Sequence, residues 1–128
     1  MTVENADFTL RRGKSKDLQF TITDDGTATG TAKNLTGATI TWSMARTVNS
    51  AVLLTKTSAS ASEISINSPA TGGICVVHID PTDTTNTTTF PASEDGVEYY
   101  YELNVVDSSA DETTVTTGTI TFKESLID

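Results

Sequence analysis

Cysteine, histidine, proline and positive charge are all scarce in these 128 residues, and each shortage removes a class of explanation. Cys75 is the only cysteine, so no disulfide forms within the chain and packing alone must hold the fold, as suits a protein that folds in a reducing compartment. His78 is the only histidine; with one cysteine beside it, the inventory falls short of the three or four clustered ligands of a zinc centre. Cys75 and His78 also stand three positions apart in an extended stretch, an odd spacing that sends their side chains to opposite faces and argues against a thiol paired with a base. Eight Lys and Arg against 17 Asp and Glu leave a net charge of −9, a balance that repels nucleic acid and anionic membranes. Glycine-rich phosphate loops are absent. No apolar run approaches the ~18 residues of a membrane span, and the first residues, MTVENADFTLRRGK, lack the apolar core of a signal peptide. The expectation is a single domain over residues 1–128, made and folded in a cytoplasm.

What the chain has in quantity is threonine, about a fifth of all residues. Threonine is β-branched and favours a pleated, half-buried surface, so the composition points to an all-β protein with polar outer faces. The densest stretch is 96–107, GVEYYYELNVVD: Val97, Tyr99, Tyr101, Leu103 and Val105 alternate with Glu98, Glu102 and Asn104, the period of two of a strand with one buried face. It is read as the central strand. Its length predicts a bend or an overhang.

Other strands follow the same pattern. Residues 7–10 form a short edge candidate, followed by the basic turn Arg11-Arg12-Gly13-Lys14; with Lys16 this is the sole positive cluster, a solvated turn or a contact for an acidic partner. KDLQFTIT (16–23) places Leu18, Phe20 and Ile22 inward and meets the turn Asp24-Asp25-Gly26. ATITWSMAR (38–46) places Ile40, Trp42 and Met44 inward, with Trp42 expected to reach across the core to the tyrosines. In AVLLTKT (51–57), Val52, Leu53 and Leu54 are consecutive and cannot all face one core. A short strand over 63–67, a turn over 69–73 and the covered strand GICVVHID (73–80) come next, and Asp80 caps a helical turn begun by Pro81. In TTVTTGTITF (113–122) the inward parity slips by one, which predicts a β-bulge, placed at Gly118 for its small steric cost. Seven or eight short strands and no amphipathic helix of ten residues give an antiparallel β-sandwich of immunoglobulin-like type.

Carboxylates remain as ligands. Asp24-Asp25, Asp80 with Asp83, Glu94-Asp95 and Asp107 with Asp111 sit in turns, yet none has the spacing of a calcium loop, and cap or turn duty accounts for them. No serine or cysteine has an evident base beside it, so the chain is read as no enzyme, with no cofactor and no metal. Function is carried by surplus apolar surface: Tyr100 and Val106 lie on the face of the central strand opposite its core set, and part of Val52, Leu53 and Leu54 must also turn outward. Outward aromatics on a sheet are favoured interface anchors, and the edge at 51–57 offers a place for another strand.

Several of these segments, in order, resemble a known family: Phe8-Thr9-Leu10-Arg11-Arg12-Gly13 before LQFTIT and its DDG turn, then Asn34-Leu35-Thr36-Gly37-Ala38-Thr39-Ile40, GICVVHID, Asp83-Thr84, GVEYYYELNVVD and Thr117-Gly118-Thr119-Ile120-Thr121-Phe122. Together they look like the N-terminal domain of the baseplate upper protein of tailed bacteriophages. The resemblance spans nearly the whole chain and implies a non-catalytic module that docks one virion protein onto another; the reading built on it is a structural protein that binds other virion structural proteins, as a homo-oligomer or in symmetric copies, in tail, baseplate or neck or decorating the capsid. The alternative is a carbohydrate-binding adhesin with calcium as an assisting ion.

Overall fold

The computed structural model describes residues 7–23, 31–47, 50–85, 96–109 and 112–124, of which 112–116 are described by their backbone alone. Eight strands follow in order: β1 Phe8–Arg11, β2 Lys16–Thr21, β3 Thr39–Ala45, β4 Leu54–Thr57, β5 Ile64–Ile66, β6 Ile74–Ile79, β7 Val97–Val106 and β8 Glu112–Lys123. Two single 3-10 turns, Ala70–Gly72 and Pro81–Thr84, are the helical segments among the described residues, and no helix there is long and apolar enough to cross a membrane. The strands form a five-stranded sheet, β1-β8-β7-β3-β4, and a three-stranded sheet, β2-β6-β5. This is the immunoglobulin-like arrangement: β2, β5 and β6 stand where strands B, D and E do, and β3, β4, β7 and β8 where C, C′, F and G do. One pair departs from the antiparallel expectation. β1 runs parallel to β8, with Phe8 opposite Ile120 and Arg11 opposite Lys123, before the chain crosses to β2 in the other sheet.

The core lies between the sheets and is built by alternation. Leu18 and Phe20 from β2 and Cys75, Val77 and Ile79 from β6 face Ile40, Trp42 and Met44 from β3 and Tyr99, Tyr101, Leu103 and Val105 from β7, all buried. Trp42 was expected to span the core to the tyrosines. Instead β3 and β7 are neighbours in one sheet, and Trp42 stacks on Tyr101 from the side, with centroids 6.1 Å apart and planes at 28°. The ring that crosses from the other sheet is Phe20, 5.8 Å from Tyr101, with Phe8 closing the cluster at 5.7 Å from Phe20. In antibody domains a disulfide between strands B and F backs onto a tryptophan of strand C. Here Phe20 on β2 and Tyr101 on β7 meet beside Trp42, and ring packing, worth about 0.5–1.5 kcal/mol per pair beyond area burial, joins the sheets.

β7 and β8 share the longest ladder, and the bulge lies within it. Leu103 pairs with Thr116 and Asn104 with Thr114, so Val115 is the extra residue, not Gly118 as expected. Gly118 sits in regular register opposite Tyr101, so its missing side chain falls on the core side beside a large ring. The slip in parity showed that one residue was surplus in this strand; it did not say which.

Two charged residues are inside, one of them from the basic turn read as solvated. Arg12 is 7 % exposed. Its Nε donates to Glu124 Oε1 at 2.5 Å and its Nη1 to the Thr84 carbonyl at 3.1 Å, and its guanidinium lies 5.3 Å from the centre of the Phe122 ring. The basic turn is therefore partly an internal strap. Lys56, on β4 opposite Trp42, is also buried and reaches Asp83 Oδ2 at 2.6 Å. Asp83 closes the turn that Asp80 begins, its Oδ2 accepting the Asp80 N–H at 2.7 Å, so this carboxylate serves both the turn and the lysine.

Candidate functional site

Alternation that puts one parity of the five-stranded sheet in the core puts the other on its outer face. Two rows cross that face: Ala45, Tyr100 and Thr119 are mutually paired, and next to them Ser43, Glu102 and Thr117. At the end of β3 the chain leaves the sheet, and Thr47, Ser50 and Val52 rise beside these rows. Ser50 Oγ accepts the Thr47 N–H at 2.9 Å, and the Leu53 N–H returns to the Met44 carbonyl at 2.8 Å. The result is a groove of about 530 Å³ with Tyr100 and Glu102 on its floor, hydroxyls along its sides and Val52 at its rim. That volume is within the range of about 300–1,000 Å³ usual for binding sites.

Tyr100 is held in place. Its hydroxyl donates to Glu98 Oε1 at 2.9 Å, and that bond, with the carboxylate's charge, raises the phenol above its ordinary range. Arg46, beside the groove, donates to the Glu98 carbonyl at 3.0 Å and lies over the Tyr99 ring at 5.1 Å. Burial pushes the Tyr99 phenol up, with Arg46 and Arg12 pulling part of the way back. The lining has one carboxylate, Glu102, and no cationic residue, so it favours neutral or positively charged groups over anions.

The five residues expected to form an interface divide. Val52 and Tyr100 come together at this groove, and Val52, 56 % exposed, is the exposed large hydrophobic side chain among the described residues. Leu53 and Leu54 are half-buried and pack against the core, because the strand begins only at Leu54 and the residues before it are not bound to strand alternation. Val106 is half-buried at the far end of β7, about 20 Å along the strand from Tyr100. β4 is an edge strand, as expected, yet it carries Lys56 pointing inward, one of the devices by which natural edges resist pairing with other chains. The outer face is thus the better docking surface than the edge.

Cys75 and His78 do lie on opposite faces of β6. Burial pushes the Cys75 thiol up to about 12. On the outer face of the small sheet, His78 Nδ1 is 2.9 Å from Asp17 Oδ1, and His78 Nε2 is 2.9 Å from Ser65 Oγ. Sequence reasoning found no serine beside a base because these three residues come from three strands; Asp17 pairs directly with His78 across the β2–β6 ladder, and Ser65 reaches it diagonally from β5. Among the described residues no group of three or more His, Cys, Asp or Glu is placed to hold a metal. Asp24-Asp25, Glu94-Asp95 and Asp111 lie outside the described residues.

No family model matches the chain, and no curated protein does. Among solved structures, murine CRIg aligns over 93 % of this chain and 92 % of its own, with 11 % identity and a TM-score of 0.41. A structure of ICOS in complex with ICOS-L and an anti-ICOS-L VNAR domain aligns over 95 % of this chain and 55 % of the matched one, with 11 % identity and a TM-score of 0.36. Extracellular domains 3–5 of Drosophila OTK align over 97 % and 35 %, with 10 % identity and a TM-score of 0.33.

Proposed function

We propose that the chain is a structural subunit of a tailed-phage virion, a non-catalytic module that binds other virion proteins through the outer face of its five-stranded sheet. The observation that carries this reading is the pairing of Val52, 56 % exposed, with the anchored ring of Tyr100 at one groove. A rigid aromatic beside an exposed aliphatic residue is the composition of an interface centre, and the acidic surface around it suits a partner with basic groups. The resemblance to the baseplate upper protein supplies the virion setting, in which the module sits in symmetric copies. A carbohydrate-binding adhesin is the second reading, favoured by the hydroxyls of Ser43, Thr117 and Thr119 around Tyr100.

Purified particles test the first reading. The wild-type protein is expected to co-purify with virions, and Val52→Asp to fold normally but be incorporated at least ~10-fold less, the loss of about 1.4 kcal/mol or more expected when a charge enters an apolar contact. Absence of the wild-type protein from particles, or full incorporation of the aspartate variant, refutes it. Glycan-array binding by the isolated protein, lost in Tyr100→Ala, would favour the second.

A further inference from the structure

Beyond any docking role, and independent of it, we propose that Ser65 is an activated nucleophile, a site at which the protein takes up an acyl or phosphonyl group from an activated donor. The inference rests on the run Asp17–His78–Ser65, in which both links are 2.9 Å, inside the range of about 2.6–3.2 Å required of a nucleophile, its base and the group that orients the base. The chemistry fixes the direction of the hydrogen bonds. A carboxylate only accepts, so Asp17 holds the proton of neutral His78 on Nδ1; Nε2 is then the acceptor, and the Ser65 hydroxyl donates to it. This is the tautomer in which imidazole takes a proton from serine as the oxygen attacks.

The surroundings allow the attack. Ser65 and His78 are half-buried, and the side chain of His78 is 28 % exposed, so a donor reaches both from solvent. The ladder holds the geometry: Asp17 is in register with His78, Ser65 is in register with Val76, two residues before it, and the backbone N–H of His78 donates to the Glu63 carbonyl at 2.8 Å. With a fluorophosphonate the step balances simply. Ser65 Oγ forms a bond to phosphorus, the phosphorus–fluorine bond breaks, fluoride departs, and the serine proton passes to His78 Nε2 and on to solvent. Asp17 is a positioning residue in this step.

The test is the full chain treated with an alkyl fluorophosphonate and followed by intact mass and peptide mapping. Wild-type protein is expected to gain one adduct, on Ser65, at about 10²-fold the rate of His78→Gln. Ser65→Ala should gain none. Asp17→Asn should slow the adduct about tenfold and Asp17→Glu should restore much of the rate, a pattern that a merely structural aspartate would not give. Melting temperatures of all variants identify any that fail to fold, and the Asp17 pair decides the matter if His78→Gln is among them. Labelling of Ser65 no faster than in His78→Gln, an adduct on other serines first, or equal rates in Asp17→Asn and wild type overturns the proposal.

Discussion

Lys56→Met is the substitution that best separates packing from charge in this fold. The lysine side chain is 6 % exposed and its ammonium is 2.6 Å from Asp83 Oδ2, while Asp83 retains 18 % exposure. Methionine keeps most of the aliphatic stem against the core and removes only the charge. Breaking a buried ion pair by deleting one partner costs about 3–5 kcal/mol, since the other charge is left in the interior. Water reaches Asp83 in part and the Asp80 N–H still donates to it, so we expect a loss of about 2–3 kcal/mol. Asp83→Asn strands the better-buried ammonium and should cost about 3 kcal/mol or slightly more. If the two are one interaction, the double variant should recover at least about 1.5 kcal/mol relative to the sum. The assay is urea unfolding followed by tryptophan emission, for which Trp42, the single tryptophan and fully buried, is a direct reporter. A Lys56→Met protein within about 0.5 kcal/mol of wild type, or simple additivity in the double variant, would refute this account of how β4 is tied to the Pro81–Thr84 turn.

Trp42→Ala should destabilise by about 3–5 kcal/mol in denaturant titrations followed by circular dichroism, since it empties a site between Tyr101 and Leu103. Gly73 sits at φ +72°, and a Cβ there would run into the Ile22 carbonyl and the backbone of Lys33, so Gly73→Ala should destabilise by more than the ~1–2 kcal/mol of a left-handed residue alone, read in the same denaturant titrations. Folded Cys75 holds its proton to about 12 against 9.0 for an ordinary thiol, so the folded state binds more protons than the unfolded one in that window. Stability should therefore fall as pH rises through it, by an amount approaching ~4 kcal/mol at the top, and Cys75→Ala should remove the thiol's share of that limb of the pH–stability curve while the raised Tyr99 phenol keeps its own.

Elements whose identity depends on neighbours in sequence were readable from it. Leu18 and Phe20, Ile40 and Trp42, and the run from Val97 to Val105 alternate because one face is buried, and the strands lie where that alternation lies. The Asp80-Pro81 start of the short turn was equally local. What could not be read depends on partners far along the chain. Arg12 looks like a surface arginine until Thr84 and Glu124, 72 and 112 residues away, come around it. Asp17, Ser65 and His78 are unremarkable singly, and only the β2-β6-β5 order makes them neighbours. The groove was half visible. Tyr100 was marked by its parity, but that Val52 turns toward it while Leu53 and Leu54 turn back follows from where β4 begins.

The silent thiol of Cys75 has a practical consequence. Because that sulfur neither meets solvent nor ionises near neutrality, the native chain presents an essentially blank background to maleimides and other thiol reagents. A cysteine introduced on the outer sheet face would carry a fluorophore or tether at one known position, without first deleting the natural one. The protein is thereby ready for distance measurements from that position.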